Sequence, residues 1–378
     1  MLGINQLSFW EKEAYLNDID FLIIGAGITG YSCALSLREK HPKSKILIIE
    51  RGFLPTGASS KNAGFACFGS ATELIDDLSH IDENKVWETL EMRWRGLKNL
   101  RSIIGDNDLD LQINGSWDLI TQSEEKIASE TLEKLTYLNN KTESITGEKN
   151  IYSIDNNTKE KFGFNHVKTS FFNRLEGQIN TGKMIQKFHK VVMENNINCL
   201  FGIEALTIND KTEVCEIETS IGEIKAKKIA ICTNGFAKQF LPNEDVLPAR
   251  AQVIITKPIQ NLNLKGTFHY QQGYYYFRNI NNRILLGGGR NLNFEGETTT
   301  EFNQTEQIQK ALKNLLDNVI APGNNYEIDY SWSGIMGVGK SKKPIIQSIS
   351  SNVAIGVRMG GMGVAIGSLV GEEVAGLL

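Results

Sequence analysis

Residues 19–50 read IDFLIIGAGITGYSCALSLREKHPKSKILIIE, and this stretch decides the fold. An apolar run over 19–24 stops at a Gly-x-Gly-x-x-Gly turn made by Gly25, Gly27 and Gly30. A helical pattern follows, then a second apolar run that closes on Glu50. Gly25 allows a tight turn off the strand, Gly27 lets the backbone approach a pyrophosphate, and Gly30 lets the helix pack close to the sheet. Ala26, Ile28 and Thr29 lie between them, where backbone N–H groups and the positive end of the helix favour a diphosphate. Glu50, about twenty residues beyond Gly30, is placed to accept hydrogen bonds from a ribose 2′-hydroxyl, and its charge disfavours a 2′-phosphate. The stretch therefore reads as the opening βαβ unit of a Rossmann-like α/β sheet that binds a dinucleotide.

The rest of the composition narrows the class. The 378 residues are 41% hydrophobic and 22% charged, which suits a globular chain of about two domains. A net charge of −4 gives no basic excess for binding a nucleic-acid backbone. The five cysteines form no Cys-x-x-Cys pair and the five histidines show no metal-ligand spacing, so free thiols and no metal are expected. The apolar run 21–24 is too short to span a bilayer, and no secretory leader pattern opens the chain, which points to the cytoplasm.

Further along, 8–18 reads as a short amphipathic lead-in and 71–104 as helical. Residues 111–120 read as a strand and 141–160 as polar loop. A helix is expected over 182–195, a hairpin over 213–227, a separate buried strand over 228–231, and an all-β region over 250–290. The chain ends as it began, with an apolar run over 353–357, a glycine-rich turn at Gly360, Gly361, Met362 and Gly363, and a helix. Two such turns at opposite ends of a sequence can face the two ends of one long cofactor, since ligands bind at the carboxyl ends of parallel strands.

These segments, taken in order, resemble the FAD-dependent amine and amino-acid oxidoreductases related to D-amino-acid oxidase, glycine oxidase and sarcosine oxidase. The resemblance rests on 23–30 with Glu50, TGASSKNAG at 56–64, LEGQIN at 175–180, ICTNG at 231–235 and RAQVIIT at 250–256. YYFR at 275–278, LLGGGR at 285–290, WSGI at 332–335 and GGMG at 360–363 complete it. The pattern is nearest to members like gamma-glutamylputrescine oxidase. It implies a glutathione-reductase-type FAD domain assembled from 1–90, 160–240 and 331–378, with a substrate domain on an antiparallel or mixed sheet from 91–159 and 241–330. It also implies that Gly57, Ala58, Ser59, Ser60, Lys61, Asn62, Ala63 and Gly64 run along the flavin ring. Arg51, Asn234, Gly235, Arg358 and the 360–363 turn supply further cofactor contacts. No cysteine follows Cys232, so the thioether to flavin known in sarcosine oxidases has no partner there and FAD is expected to be noncovalent.

The resemblance implies oxidation of the C–N bond of a small amine or amino-acid-like substrate by hydride transfer to flavin, followed by imine hydrolysis, with oxygen or another electron acceptor. Amino-acid oxidases of the family place an arginine soon after the tryptophan-glycine segment. Here Met336 stands in that neighbourhood, and lysine is the only cation that follows closely. A lysine is a point charge and cannot form the two-pronged clamp of a guanidinium. Ideal strand alternation puts Tyr274, Tyr276 and Arg278 on one face, so these are the expected substrate-positioning residues, with Arg290 and Arg358 as further arginines for a substrate anion. Two other readings stand beside this one. A nicotinamide-dependent dehydrogenase would need only the first motif, and a flavoprotein could serve binding or electron transfer.

Overall fold

The computed structural model describes residues 3–211, 213–323 and 325–378. Two eight-stranded sheets carry it. In the first, Ile19–Ile24 lies between Gly222–Ile231 and Ile46–Glu50, all parallel, with Asn198–Phe201 and Val353–Val357 extending the parallel set on either side. Parallel strands need cover on both faces, which is why Ile46–Glu50 and Val353–Val357 are buried throughout and lack alternation. Helices Ile28–Lys40, Thr181–Glu194 and Gly363–Ala375 cover one face. The hairpin of Ala205–Asp210 and Cys215–Thr219 shares the core on the other.

Two helices reach the sheet side by side because glycine removes the obstacle between them. A Cβ on Gly371 would lie 2.4 Å from the Thr29 carbonyl oxygen, so the C-terminal helix seats directly on the helix that follows the first glycine turn.

The second sheet runs Ile328–Val338, Leu247–Thr256, Arg283–Gly288, Tyr275–Ile280, Thr267–Tyr270, Ser116–Ile120, Thr169–Asn173, Tyr152–Asp155. It is mixed, because Thr267–Tyr270 pairs parallel with Ser116–Ile120 while the other neighbours are antiparallel. One face packs an aromatic core of Trp117, Phe164, Phe268 and Phe277 beneath the helix Glu306–Leu315. The opposite face turns toward the carboxyl ends of the first sheet's strands. A two-residue ribbon, Phe65–Ala66 with Gly177–Gln178, lies between the two sheets in the chain's order.

Several expectations need correcting. The separate strands expected at 223–227 and 228–231 are one strand, Gly222–Ile231. It starts antiparallel to Cys215–Thr219 and ends parallel to Ile19–Ile24, and its burial changes from alternating to complete as it enters the sheet interior. The segment 141–160 is not loop: helix Leu135–Thr146 extends into it and Tyr152–Asp155 is a strand. A charged helix is expected to end near 140, and it runs on to Thr146 with only Leu138 and Thr142 on its buried side, the latter bonding the Leu138 carbonyl at 2.8 Å. Two strands also cross the expected division of the chain. Thr169–Asn173 and the part of Ile328–Val338 beyond 330 both belong to the second sheet. Among the described residues, no helix is long and apolar enough to cross a membrane.

Candidate active site

A cavity of about 730 Å³ lies between the two sheets. Its first end is built by the opening glycine turn. Gly25 sits at φ +108°, and a Cβ there would lie 2.9 Å from the Cys232 carbonyl oxygen. A Cβ on Gly30 would lie 1.9 Å from the Gly25 oxygen, so the turn and the helix cannot both exist with any other residue. Gly27 has no side chain with which to cap the helix, which leaves first-turn backbone donors to other partners at the cavity. Ile28 N donates to Ser59 Oγ at 3.0 Å and so ties the turn to the segment 57–63.

Glu50 is 8% exposed and already oriented. Its Oε2 accepts from Ala26 N at 3.1 Å and its Oε1 from Gly52 N at 3.0 Å. Arg51 lies beside it with its guanidinium 3.7 Å over the Phe236 ring.

Gly25, Gly27, Ile28, Thr29, Glu50 and Arg51 line the cavity, as do Gly57, Ala58, Ser59, Lys61, Asn62 and Ala63. So do Asn234, Gly360, Gly361, Met362 and Gly363 at the start of the C-terminal helix. The other residues expected at the cofactor are outside its lining, each for a visible reason. Ala26 gives its N–H to Glu50, Gly30 faces the helix–strand contact, and Ser60 bonds back to the Gly57 carbonyl. Gly64 and Gly235 face the carbonyls of Ile179 and Met336.

Arg358 is a correction in kind. Its Nη1 is spent on Asp245, at 3.0 Å from Oδ2, and its Nε and Nη2 on the Lys343 carbonyl. It braces the turn and offers its guanidinium to nothing in the cavity. Asn234 joins the same brace, its Oδ1 accepting from Arg358 N and Met359 N.

The second end is the exposed face of the mixed sheet. His269 and Tyr276 are register partners on adjacent strands, and Phe65 packs against both rings at 5.5 Å. Tyr276 lies over Gly287, where a Cβ would come within 2.5 Å of the ring, and burial pushes its phenol up to about 12. Tyr274 is not on the strand, which begins at Tyr275; it closes a turn with its N–H on the Gln271 carbonyl, half exposed at the cavity mouth.

Arg278 does share the face of Tyr276, but it is outside the cavity lining. It is 3% exposed beneath Gly64, donating to that carbonyl at 3.3 Å, and burial lowers it to about 10. Arg290 does line the cavity at this end, 4.9 Å over the Phe294 ring. Its Nε is buried without a partner and, among the described residues, the side chain makes no hydrogen bond or ion pair. Its acidic neighbour Glu297 is taken by Arg250 at 2.8 Å.

Beyond His269 the cavity runs into a charged annex that sequence reasoning missed. Burial works to raise Glu73, and Arg93 at 3.3 Å with Lys342 at 2.9 Å overcomes it, holding the carboxyl at about 2. Lys342 also reaches Asp77 at 2.7 Å. Behind the ribbon, Cys67, Glu176 and His269 bring their sulfur, oxygen and nitrogen atoms within 4.8 Å of one another. These three lie on distant segments, so only the folded register unites them.

The comparisons with known proteins agree with this geometry. The model of the DAO family, FAD dependent oxidoreductase, matches residues 20–377. The chain belongs to that family. A probable oxidoreductase OrdL of Haemophilus influenzae is 20% identical over 372 residues, 94% of this chain and 82% of that protein. Gamma-glutamylputrescine oxidoreductase of Escherichia coli is 21% identical, covering 95% and 83%. Glycine oxidase from Bacillus cereus superposes with a TM-score of 0.75 at 14% identity over 95% of this chain and 94% of that one. L-proline dehydrogenase from P. horikoshii gives 0.73 at 17%, over 95% and 93%. The match takes in both glycine turns, so the nicotinamide reading falls: this is an FAD-dependent oxidoreductase. The cavity fits that cofactor, since the glycine backbone of both turns lines it and a Cβ on Gly57 would meet nothing within 4 Å.

Proposed function

We propose that this oxidoreductase oxidises the C–N bond of an amine or amino-acid-like substrate that also carries an anionic group. The observation that carries the reading is Arg290, a half-buried guanidinium on the cavity wall with no ionic partner among the described residues. A half-buried guanidinium with its Nε cut off from water and unpaired is poorly satisfied, and a substrate carboxylate supplies it with two parallel hydrogen bonds. FAD, held noncovalently, supplies the acceptor for the hydrogen and electron pair that leave the substrate carbon.

The chain's own part is binding and orientation. Glu50 would hold the ribose hydroxyls, the first-turn N–H groups of helix Ile28–Lys40 beyond Ile28 would hold the diphosphate, and residues 57–63 would flank the ring system. The N-terminus of Gly363–Ala375 opens on the same cavity and would favour negative charge on a bound flavin. Tyr276 and Phe65 form an apolar wall that excludes water, and Tyr274 stands at the mouth. Arg290 anchors one end of the substrate and so aims its C–H bond. The imine product then hydrolyses to a carbonyl compound and an amine. The relatives' names, an oxidoreductase of gamma-glutamylputrescine and oxidases or dehydrogenases of glycine and proline, support a substrate of this class.

Anaerobic mixing with matched pairs of amines, with and without a carboxylate, tests the reading by loss of the ~450 nm flavin band, a property of the cofactor itself. Bleaching confined to carboxylate-bearing amines is expected. Equal rates for both members of each pair would overturn it.

A further inference from the structure

An ammonium holds no lone pair, so an amine bound as its cation must lose a proton before its C–H bond can be given up as hydride. The wall described so far offers no group for that proton. Two orphaned atoms behind Phe65 do. His269 Nε2 and Glu176 Oε2 are both buried, and each lacks a hydrogen-bond partner. They belong to the same tight group, whose atoms lie within 4.8 Å of one another.

One is able to donate and the other to accept. Glu176 is fully buried and its other oxygen is already fixed, Oε1 accepting from Phe68 N at 2.7 Å and Gly69 N at 2.8 Å. Its free oxygen therefore cannot swing away. His269 lines the cavity, and its Nδ1 makes no hydrogen bond among the described residues. That atom lies on the side of Gly273, another cavity residue, 3.9 Å from where a Cβ there would sit.

From this geometry we infer that His269 is the proton acceptor of the site, and that Glu176 is the positioning residue that sets its tautomer. With Nε2–H turned to Glu176 Oε2, the Nδ1 lone pair faces the substrate. The N–H bond of the bound ammonium breaks, its proton forms a new bond to Nδ1, and the pair of electrons stays on the amine nitrogen. The imidazolium that results lies against a carboxylate instead of standing alone in a buried site. The inference rests on the amine reading above.

The titratable groups facing His269 are few and come from five segments. Cys67 follows the ribbon strand Phe65–Ala66, and burial with Glu176 beside it holds that thiol protonated and uncharged. Asp118 is the register neighbour on Ser116–Ile120; its Oδ2 is taken by Thr72, its Oδ1 is buried without a partner, and burial raises it. Glu73 in the annex is taken by Arg93 and Lys342, and Tyr276 stays neutral. Glu176 is the acid that joins His269 and Cys67 in the tight group; burial raises it, and His269 with the N–H groups of Gly69 and Phe68 works against that.

The experiment has two arms on the FAD-loaded enzyme. Nitrogen NMR with labelled histidine, without substrate, should show His269 carrying its proton on Nε2, and Glu176→Gln should disturb that signal. A proton on Nδ1 overturns the inference and leaves the amine reading untouched. The second arm measures anaerobic flavin reduction by a reactive amine against pH. His269→Gln should lose about a hundredfold at neutral pH, and the deficit should close by about tenfold per pH unit as the free amine itself becomes neutral. A merely structural histidine would give a deficit that does not change with pH, and that outcome overturns the assignment. If no amine bleaches the flavin at all, the functional reading fails and takes the proton-acceptor role with it, whatever tautomer is found.

Discussion

The two ends of the cavity differ in how their residues are tied to the sequence. At the glycine-turn end the parts lie within a single stretch, 19–50, and the backbone does the binding. At the sheet end the parts come from segments around 65, 73, 176, 269, 290 and 342, and side chains do the work. Backbone sites tolerate no change in their glycines yet say little about the ligand beyond its phosphates. Side-chain sites accept substitution without collapse, and their charges define what is bound. The contrast predicts that variants at the first end damage retention of FAD, while variants at the second alter turnover and specificity.

Gly30→Val is the harshest break at the first end. Its Cβ would meet the Gly25 oxygen at 1.9 Å, so the turn must open, at about 3 kcal/mol or more. The purified variant should be colourless, and a yellow, FAD-saturated Gly30→Val would show that the turn is not the anchor. Glu73→Gln tests the second end next. Removing the acid leaves Arg93 facing a neutral amide and should lower the unfolding free energy by about 3 kcal/mol, read by urea denaturation. The sign of its pH dependence follows from the direction of the shift. Glu73 is held at about 2 when folded, against 4.5 ordinarily, so its contribution is complete above about pH 4.5 and is lost as pH falls through about 2. The wild type should lose stability across that window more steeply than Glu73→Gln.

Glu50→Gln keeps the shape of the side chain but removes the charge from a bond worth about 1.5–3 kcal/mol, so FAD affinity should fall about tenfold to a hundredfold. Unchanged affinity would remove Glu50 from the ribose. The mildest change is Gly57→Val. Its backbone is ordinary and its Cβ meets no protein atom within 4 Å, so the apoprotein should melt within about 0.5 kcal/mol of the wild type while FAD binding weakens. Normal FAD affinity would move the ring system away from residues 57–63.

The same contrast explains what could be read from the chain. The first strand, glycine turn, helix and Glu50 were legible because each needs a particular residue at a fixed local offset. The mixed sheet was legible as strands over 250–290 but not as a register, and the register is what makes His269 the neighbour of Tyr276. Alternation correctly put Tyr276 and Arg278 on one face, yet it could not tell that Gly64 lies over Arg278 and keeps it out of the cavity that Arg290 lines. Tyr274 was drawn onto the strand by aromatic propensity, whereas the turn at Gly273 ends the pairing just before Tyr275. Glu176 stood in a quoted motif, but nothing in LEGQIN says that its carboxylate ends up buried beside a histidine about ninety residues away. The charged annex gave no local signal, because a helix acid such as Glu73 looks like solvated surface until Lys342 arrives from the far end of the chain.

The separation of the two ends is tested most directly by Arg290→Gln loaded with FAD. Anaerobic reduction by a carboxylate-bearing amine is followed against its concentration, beside a titration of FAD into the apoprotein. The account predicts unchanged FAD affinity, with half-saturation by the amine raised at least tenfold, the loss expected when a charge-assisted pair worth about 1.5–3 kcal/mol is removed. Unchanged half-saturation, or loss of FAD together with substrate, would contradict it.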